Sequence, residues 1–232
     1  MNFINEAAKL NINITDTASL KFEEYYKKLV EVNEVMNLTS IIEHEEVYNK
    51  HFLDSLSLSL CLDLSKKASL LDVGSGAGFP SIPLAIVSNN IDVTIIDALN
   101  KRINFLNDLA KSLDLPNVKA IHIRAEEYAK EKRNSFDYVT ARAVARLNVL
   151  TELCLPLVKV GGFFIAMKSG DSKQELDEAR NAIGVLGGKV QKTVNFELPD
   201  GCGSRTLILI EKVSETKSKY PRAFARIKEK PL

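Results

Sequence analysis

The chain of 232 residues is poor in groups that bind metal or form cross-links, with three cysteines and three histidines. Cys61, Cys154 and Cys202 are widely separated, odd in number and without paired ligand spacing, which argues against a disulfide framework and a zinc site. A reduced, cytoplasmic protein without a metal is therefore expected. No uninterrupted apolar run approaches the roughly 18 residues of a membrane span. The opening MNFINEAAKLNINITD lacks the basic start and apolar block of a signal peptide. Net charge is also small, at +1, but it is unevenly placed. In the tail, Lys212, Lys217, Lys219, Arg222, Arg226, Lys228 and Lys230 face only Glu211, Glu215 and Glu229. Such a tail suits a polyanionic partner, and equally a solvated, frayed terminus.

What is present is ordinary for a globular protein: 45% hydrophobic and 26% charged residues, enough for one domain with a small appendage. The expected organisation is a helical N-terminal extension over 1–68, a core over 69–213 and a basic tail over 214–232. In the extension, Leu20, Tyr25, Leu29, Val32 and Met36 recur at helical steps, with Thr15, Asp16 or Thr17 as the cap. A second helix is read through EHEEVYNKHFLDSLSLSLCL, with Val47, Phe52, Leu56 and Leu60 on one face. From Ser69 the strand-like runs SLLDV, IDVTIID, VKAIHI, FDYVTA and GFFIAMK alternate with helical stretches such as NKRINFLNDLAKSLD and VLTELCLPLVKV. This alternation predicts an α/β fold with a mostly parallel sheet and helices on both faces. GKVQKTVNFEL and RTLILIEK, joined by PDGCGS, predict a closing antiparallel hairpin.

In such a sheet ligands bind beyond the carboxyl ends of the strands. LLDVGSGAGFPSIP places Gly74, Gly76 and Gly78 there, where a missing Cβ lets the main chain turn tightly and approach a ligand. Asp97 ends the next strand, roughly 20 residues on, where a carboxylate can accept from both ribose hydroxyls. The glycine that a dinucleotide fingerprint needs last comes one position early, and Phe79 fills its slot. No phosphate-binding lysine follows the turn. A nucleoside cofactor without a phosphate to cradle is left, and S-adenosylmethionine fits. An NAD-dependent oxidoreductase and a non-catalytic RNA-binding module are the competing readings.

LDVGSGAGFPSIPLAIV, IDALNKRINFL, RAEEYA and TARAVARL, with NLTSIIEHEEVYNKHFLDSL upstream and KYPRAFARIKEKPL at the end, resemble the bacterial small-subunit rRNA guanine-N7 methyltransferases, also called glucose-inhibited division protein B. The resemblance covers most of the chain. It implies a Rossmann-like class I methyltransferase fold and methyl transfer from S-adenosylmethionine to guanine N7 of 16S rRNA near the decoding centre. It further implies cofactor contacts at Gly74, Phe79, Ala125 with Glu126, and Arg142. One departure is AMKSGD, where lysine directly followed by glycine is the family pattern. On the residues alone, Phe79 can pack on a cofactor edge or against the sheet. Glu126 can accept from the adenine amino group or favour a helix N-terminus. Arg142 can pair with the cofactor carboxylate, an RNA phosphate or a structural carboxylate.

Guanine N7 carries a lone pair and no proton, so its methylation needs no general base. After the fourth strand, TARAVARL lacks the Asn/Asp-Pro-Pro-aromatic motif of exocyclic amine methylation, and no Pro-Cys pair marks a thiolate nucleophile. No catalytic acid or base is assigned. Arg146, Lys168, Arg205 and Arg222 are the candidate rRNA phosphate contacts, by their place at strand ends or in the basic tail. Lys50 and His51 are read as either cleft or packing residues, and His122 as a core histidine. A methyltransferase acting on another RNA or a small molecule is the alternative function.

Overall fold

A computed structural model describes residues 3–232, so the first two residues of the expected extension lie outside the described chain. Helices α1 (Phe3–Lys9) and α2 (Asp16–Met36) come first. The Thr15 hydroxyl accepts from the Ala18 amide at 3.2 Å and fixes the start of α2. A helical run follows without a break: α3 (His44–Val47), a π-helical turn (Tyr48–Leu53), α4 (Asp54–Leu56) and a 3₁₀ turn (Ser57–Leu60). The π turn shifts the register of the helix, so that Asn49, His51, Phe52, Leu53 and Asp54 are all buried.

Seven strands form one sheet: β1 (Ala68–Val73), β2 (Ile91–Asp97), β3 (Val118–His122), β4 (Phe136–Arg142), β5 (Val158–Ser169), β6 (Gly188–Glu197) and β7 (Ser204–Lys212). Their spatial order is β3-β2-β1-β4-β5-β7-β6, with β1 to β5 parallel and β7 antiparallel to both neighbours. The expected hairpin is therefore present, and its second strand inserts between β5 and β6. Asp200, Gly201 and Gly203 turn it with positive φ.

The two-residue period of the strands divides the core. Leu70, Val93, Ile95 and Ile165 face α2, α5 (Ser81–Val87) and α6 (Asn100–Ser112). Leu71, Ile96, Val139 and Phe164 face α7 (Ala125–Glu131), α8 (Leu147–Cys154) and α9 (Lys173–Val185). A last helix, α10 (Phe224–Glu229), buries Ile227 in this second layer.

Some local readings change. VLTELCLPLVKV is not one helix: α8 stops at Cys154, a 3₁₀ turn spans Leu155–Leu157, and β5 begins at Val158. Pro156 cannot donate to a continuing helix. Leu20 is 72% exposed, and the buried face of α2 is Ala18, Phe22, Tyr25 and Leu29. His122 is exposed on the edge strand, its Nε2 3.0 Å from the Ala98 carbonyl, rather than in the core.

Candidate active site

Strand order reverses between β1 and β4, and the carboxyl ends of the parallel strands open there. A cavity of about 300 Å³ lies across these ends. Gly74 after β1, Asp97 at the end of β2, and Ala125 with Glu126 at the start of α7 all line it, with Leu99, Arg102, Val144 and Phe224. Four residues read from the sequence are thus brought to one cavity.

Each is placed by local chemistry. Gly74 has φ +75°, and a Cβ on it would lie 2.9 Å from Cγ2 of Val144, so no other residue fits without displacing the loop after β4. Asp97 is buried; its Oδ1 accepts from the Leu99 amide at 2.8 Å and its Oδ2 from Arg102 at 3.2 Å. Arg102 was not anticipated, although it stands in the first turn of the helix after Asp97. Glu126 is 8% exposed yet has no hydrogen-bond or ion-pair partner among the described residues. A buried carboxylate on a cavity wall with nothing to accept from fits a ligand that brings a donor, as an adenine amino group does.

Gly76, Phe79 and Arg142 lie outside that cavity wall. Gly76 turns the chain at φ +62° with open space where its Cβ would be. Phe79 is 5% exposed, its ring stacked between His51, at 4.4 Å, and Tyr25, at 5.4 Å. It therefore packs beneath the turn and presents no ring edge to the cavity. Gly78 owes its lack of a side chain to the same packing: an added Cβ would lie 2.8 Å from both the Tyr25 hydroxyl and Cγ1 of Ile82. Tyr25 also donates to the Ala77 carbonyl at 2.7 Å, tying α2 to the glycine turn. Asp72, just before the turn, is fully buried and accepts from Ser81 Oγ at 2.6 Å. Burial pushes its pKa up to about 7 against that hydrogen bond.

Arg142 instead opens onto a second cavity of about 330 Å³, which shares Ala143 with the first. Asp54, Met167, Lys168, Glu175 and Arg205 complete its main lining. Arg142 Nη1 pairs with Asp54 Oδ2 at 2.8 Å, and Arg205 Nε with Asp54 Oδ1 at 3.2 Å. Arg142 Nη2 reaches His51 Nδ1 at 2.6 Å, and its guanidinium carbon lies 5.4 Å from the Phe79 centroid. A guanidinium only donates, so toward Arg142 Nδ1 is the acceptor, although it also lies 3.1 Å from the Lys50 carbonyl; Nε2 is 2.9 Å from the Thr39 hydroxyl. Burial, and then the Arg142 charge, lower the His51 pKa to about 3. Burial raises the Asp54 pKa, opposed by the two arginines. Neither Asp54 nor Glu175 stood out in the sequence, because only the tertiary fold brings the N-terminal segment and α9 to this cavity.

The candidate RNA-contacting residues divide. Lys168 Nζ donates to the Ala145 carbonyl at 2.8 Å and to Glu175 Oε1 at 2.7 Å, which braces the loop after β4. Arg205 is committed to Asp54 in the cavity wall. Arg222 lies against Glu152, which is fully buried, with Nη2 to Oε2 at 2.7 Å and Nε to Oε1 at 2.9 Å. That geometry gives Arg222 a structural task. Arg146 is largely exposed and paired with Glu178. Lys50 pairs with Glu46, while His51 belongs to the buried packing described above. Among the described residues no helix is long and apolar enough to cross a membrane, and no cluster of metal-ligating side chains occurs.

A model of the rRNA small subunit methyltransferase G family matches residues 18–207. The chain is 57% identical to the ribosomal RNA small subunit methyltransferase G of Staphylococcus saprophyticus, over 95% of this chain and 93% of that one. It is 54% identical to the protein of the same name from Staphylococcus carnosus, over 96% and 94%. Among solved structures, Methanococcus jannaschii TYW2 in complex with AdoMet aligns at TM-score 0.53 and 17% identity, over 63% of this chain and 70% of that one. The fibrillarin pre-rRNA processing protein of the same organism aligns at TM-score 0.52 and 18% identity, over 67% and 70%. These two similarities concern the fold, that of Rossmann-like class I methyltransferases.

Proposed function

Because the chain belongs to the rRNA small subunit methyltransferase G family, we propose that the paired cavities at the switch point divide that family's reaction between cofactor and acceptor base. The chain is a methyltransferase that uses S-adenosylmethionine to methylate guanine N7 in small-subunit rRNA. When bound, that cofactor supplies an electrophilic methyl group on a sulfonium. The cavity lined by Gly74, Asp97, Ala125 and Glu126 takes its adenosine end. Asp97 accepts from the ribose hydroxyls, Glu126 from the adenine amino group, and Gly74 lets the main chain come close. The observation that carries this reading is the convergence of these residues from three successive strand ends on one cavity, with Glu126 unpartnered.

The neighbouring cavity takes the guanine. Its Asp54 and Glu175 carboxylates offer acceptors to the base's N–H groups, and Arg142 and Arg205 pair with Asp54 and fix its position. Nothing in the chain has to remove a proton, because N7 attacks through its lone pair. Catalysis is positional: base and methyl are held in line across Ala143, a contribution of up to several kcal/mol. Arg146 is the retained candidate for an rRNA phosphate, near the decoding centre of the small subunit and in the cytoplasm.

Calorimetry with S-adenosylhomocysteine tests the cofactor site. Asp97→Ala is expected to weaken binding at least tenfold, as loss of hydrogen bonds to a charged acceptor would. Unchanged affinity would remove Asp97 from the site. For the acceptor, N7-methylguanine is mapped in 16S rRNA from cells with and without the protein; identical maps would refute the assignment.

A further inference from the structure

The C-terminal tail is basic and was expected to serve RNA or to fray. Its anchoring is inconsistent with fraying. Arg133 donates to the Tyr220 and Thr216 carbonyls, each at 2.6 Å. Lys212, fully buried, donates to Thr216 Oγ1 at 2.6 Å. Arg222 adds its amide and guanidinium to Glu152 of α8, and Ile227 is fully buried. Phe224 stands between the last two anchors, and it is the one tail residue in the wall of the first cavity. Across that cavity are Leu99 beyond β2 and Ala125 with Glu126 on α7, and Leu153 of α8 adds apolar surface.

An adenine ring needs two kinds of surface: apolar groups against its faces and polar groups at its edge. Glu126 is the polar group, and the strand ends and Leu153 give aliphatic cover. Among the described residues, Phe224 is the only aromatic side chain lining the cavity. We propose that Phe224 is a cofactor-binding residue, so that the tail folds back to supply the aromatic wall of the adenosine cavity. The family match ends at residue 207, so this contribution lies outside the matched region. The arrangement makes tail docking and cofactor binding one event: the cavity has its full wall only while Arg222 sits on Glu152. The inference rests on reading this cavity as the adenosine site.

The chain contains no tryptophan, so Phe224→Trp would place a single indole at the cavity rim. Titration of that variant with S-adenosylhomocysteine should change its emission saturably, with a midpoint equal to the calorimetric Kd. Phe224→Ala should weaken S-adenosylhomocysteine about tenfold, within the range measured for a base stacked on an aromatic group. It should raise the KM for S-adenosylmethionine while leaving kcat and the unfolding temperature close to those of the parent, which a purely structural role would not do. Should Phe224→Ala fail to fold, the indole titration decides alone. An indole that ignores saturating ligand, while calorimetry records binding with parental affinity, would overturn the role of Phe224 and leave the cofactor site intact. Parental binding by Asp97→Ala would instead overturn the adenosine-site reading.

Discussion

At Gly78 the cause of a glycine lies underneath the turn. Its φ is +107°, and a Cβ would meet the Tyr25 hydroxyl and Ile82 at 2.8 Å. Gly78→Ala is therefore strained in the backbone and overpacked at once. A loss of about 2–4 kcal/mol is expected, combining a left-handed backbone penalty with a core clash. Urea unfolding measures it, and a loss below 1 kcal/mol would show that α2 yields to the added methyl. The early third glycine had correctly spoken against a pyrophosphate ligand. Its positive reason was hidden, because Tyr25 lies 53 positions upstream and reaches the turn only through tertiary packing. Phe79 was ambiguous for the same reason. The choice between a ligand edge and a buried stack depends on where His51 and Tyr25 come to rest, and no local pattern encodes that. That Asp97 and Glu126 come to one cavity was legible because strand ends in a parallel sheet can be counted from the chain.

Elements were easier to read than their partners. The alternation of β-branched runs with helices reports the parallel layers, and PDGCGS reports the hairpin. The tail was the main exception, since charge counting sees lysines and arginines but not the buried carboxylate of Glu152. Arg222→Ala tests the latch. Glu152 would be left buried without its partner, which typically costs about 3–5 kcal/mol. Cofactor affinity should fall with stability, because Phe224 loses its anchor. Thermal unfolding with and without S-adenosylhomocysteine separates the two: a variant destabilised in both conditions but equally stabilised by ligand would disconnect the tail from the cofactor site. Arg222→Lys should recover only part of the loss, since an ammonium cannot reproduce the paired contacts of a guanidinium.

For the molecule as a whole, two buried groups set opposite pH trends. Asp72 has its pKa raised from 3.8 to about 7, so between those values the folded state holds a proton that the unfolded state has released. Stability then falls as pH rises through that window. His51 has its pKa lowered from 6.5 to about 3, so between those values the unfolded state holds the extra proton. Stability then rises with pH and is lost as pH falls. From about pH 4 to 6.5 the two slopes cancel, each being roughly 1.4 kcal/mol per pH unit at its limit. Replacing one partner should expose the other. Asp72→Asn should lose stability on going from pH 6.5 to pH 4.5, relative to the parent, by about 2–3 kcal/mol. His51→Gln should gain over the same interval by a similar amount. Urea midpoints at the two pH values measure both, and parallel profiles for parent and variants would mean that neither group carries its proton as the burial and hydrogen bonding imply. The cancellation has a functional side. Asp72 supports the glycine turn, and His51 holds Arg142 at the acceptor cavity through Nδ1. The Asp72 and His51 contributions to folding thus offset each other across a pH range in which either buried group alone would tilt the fold.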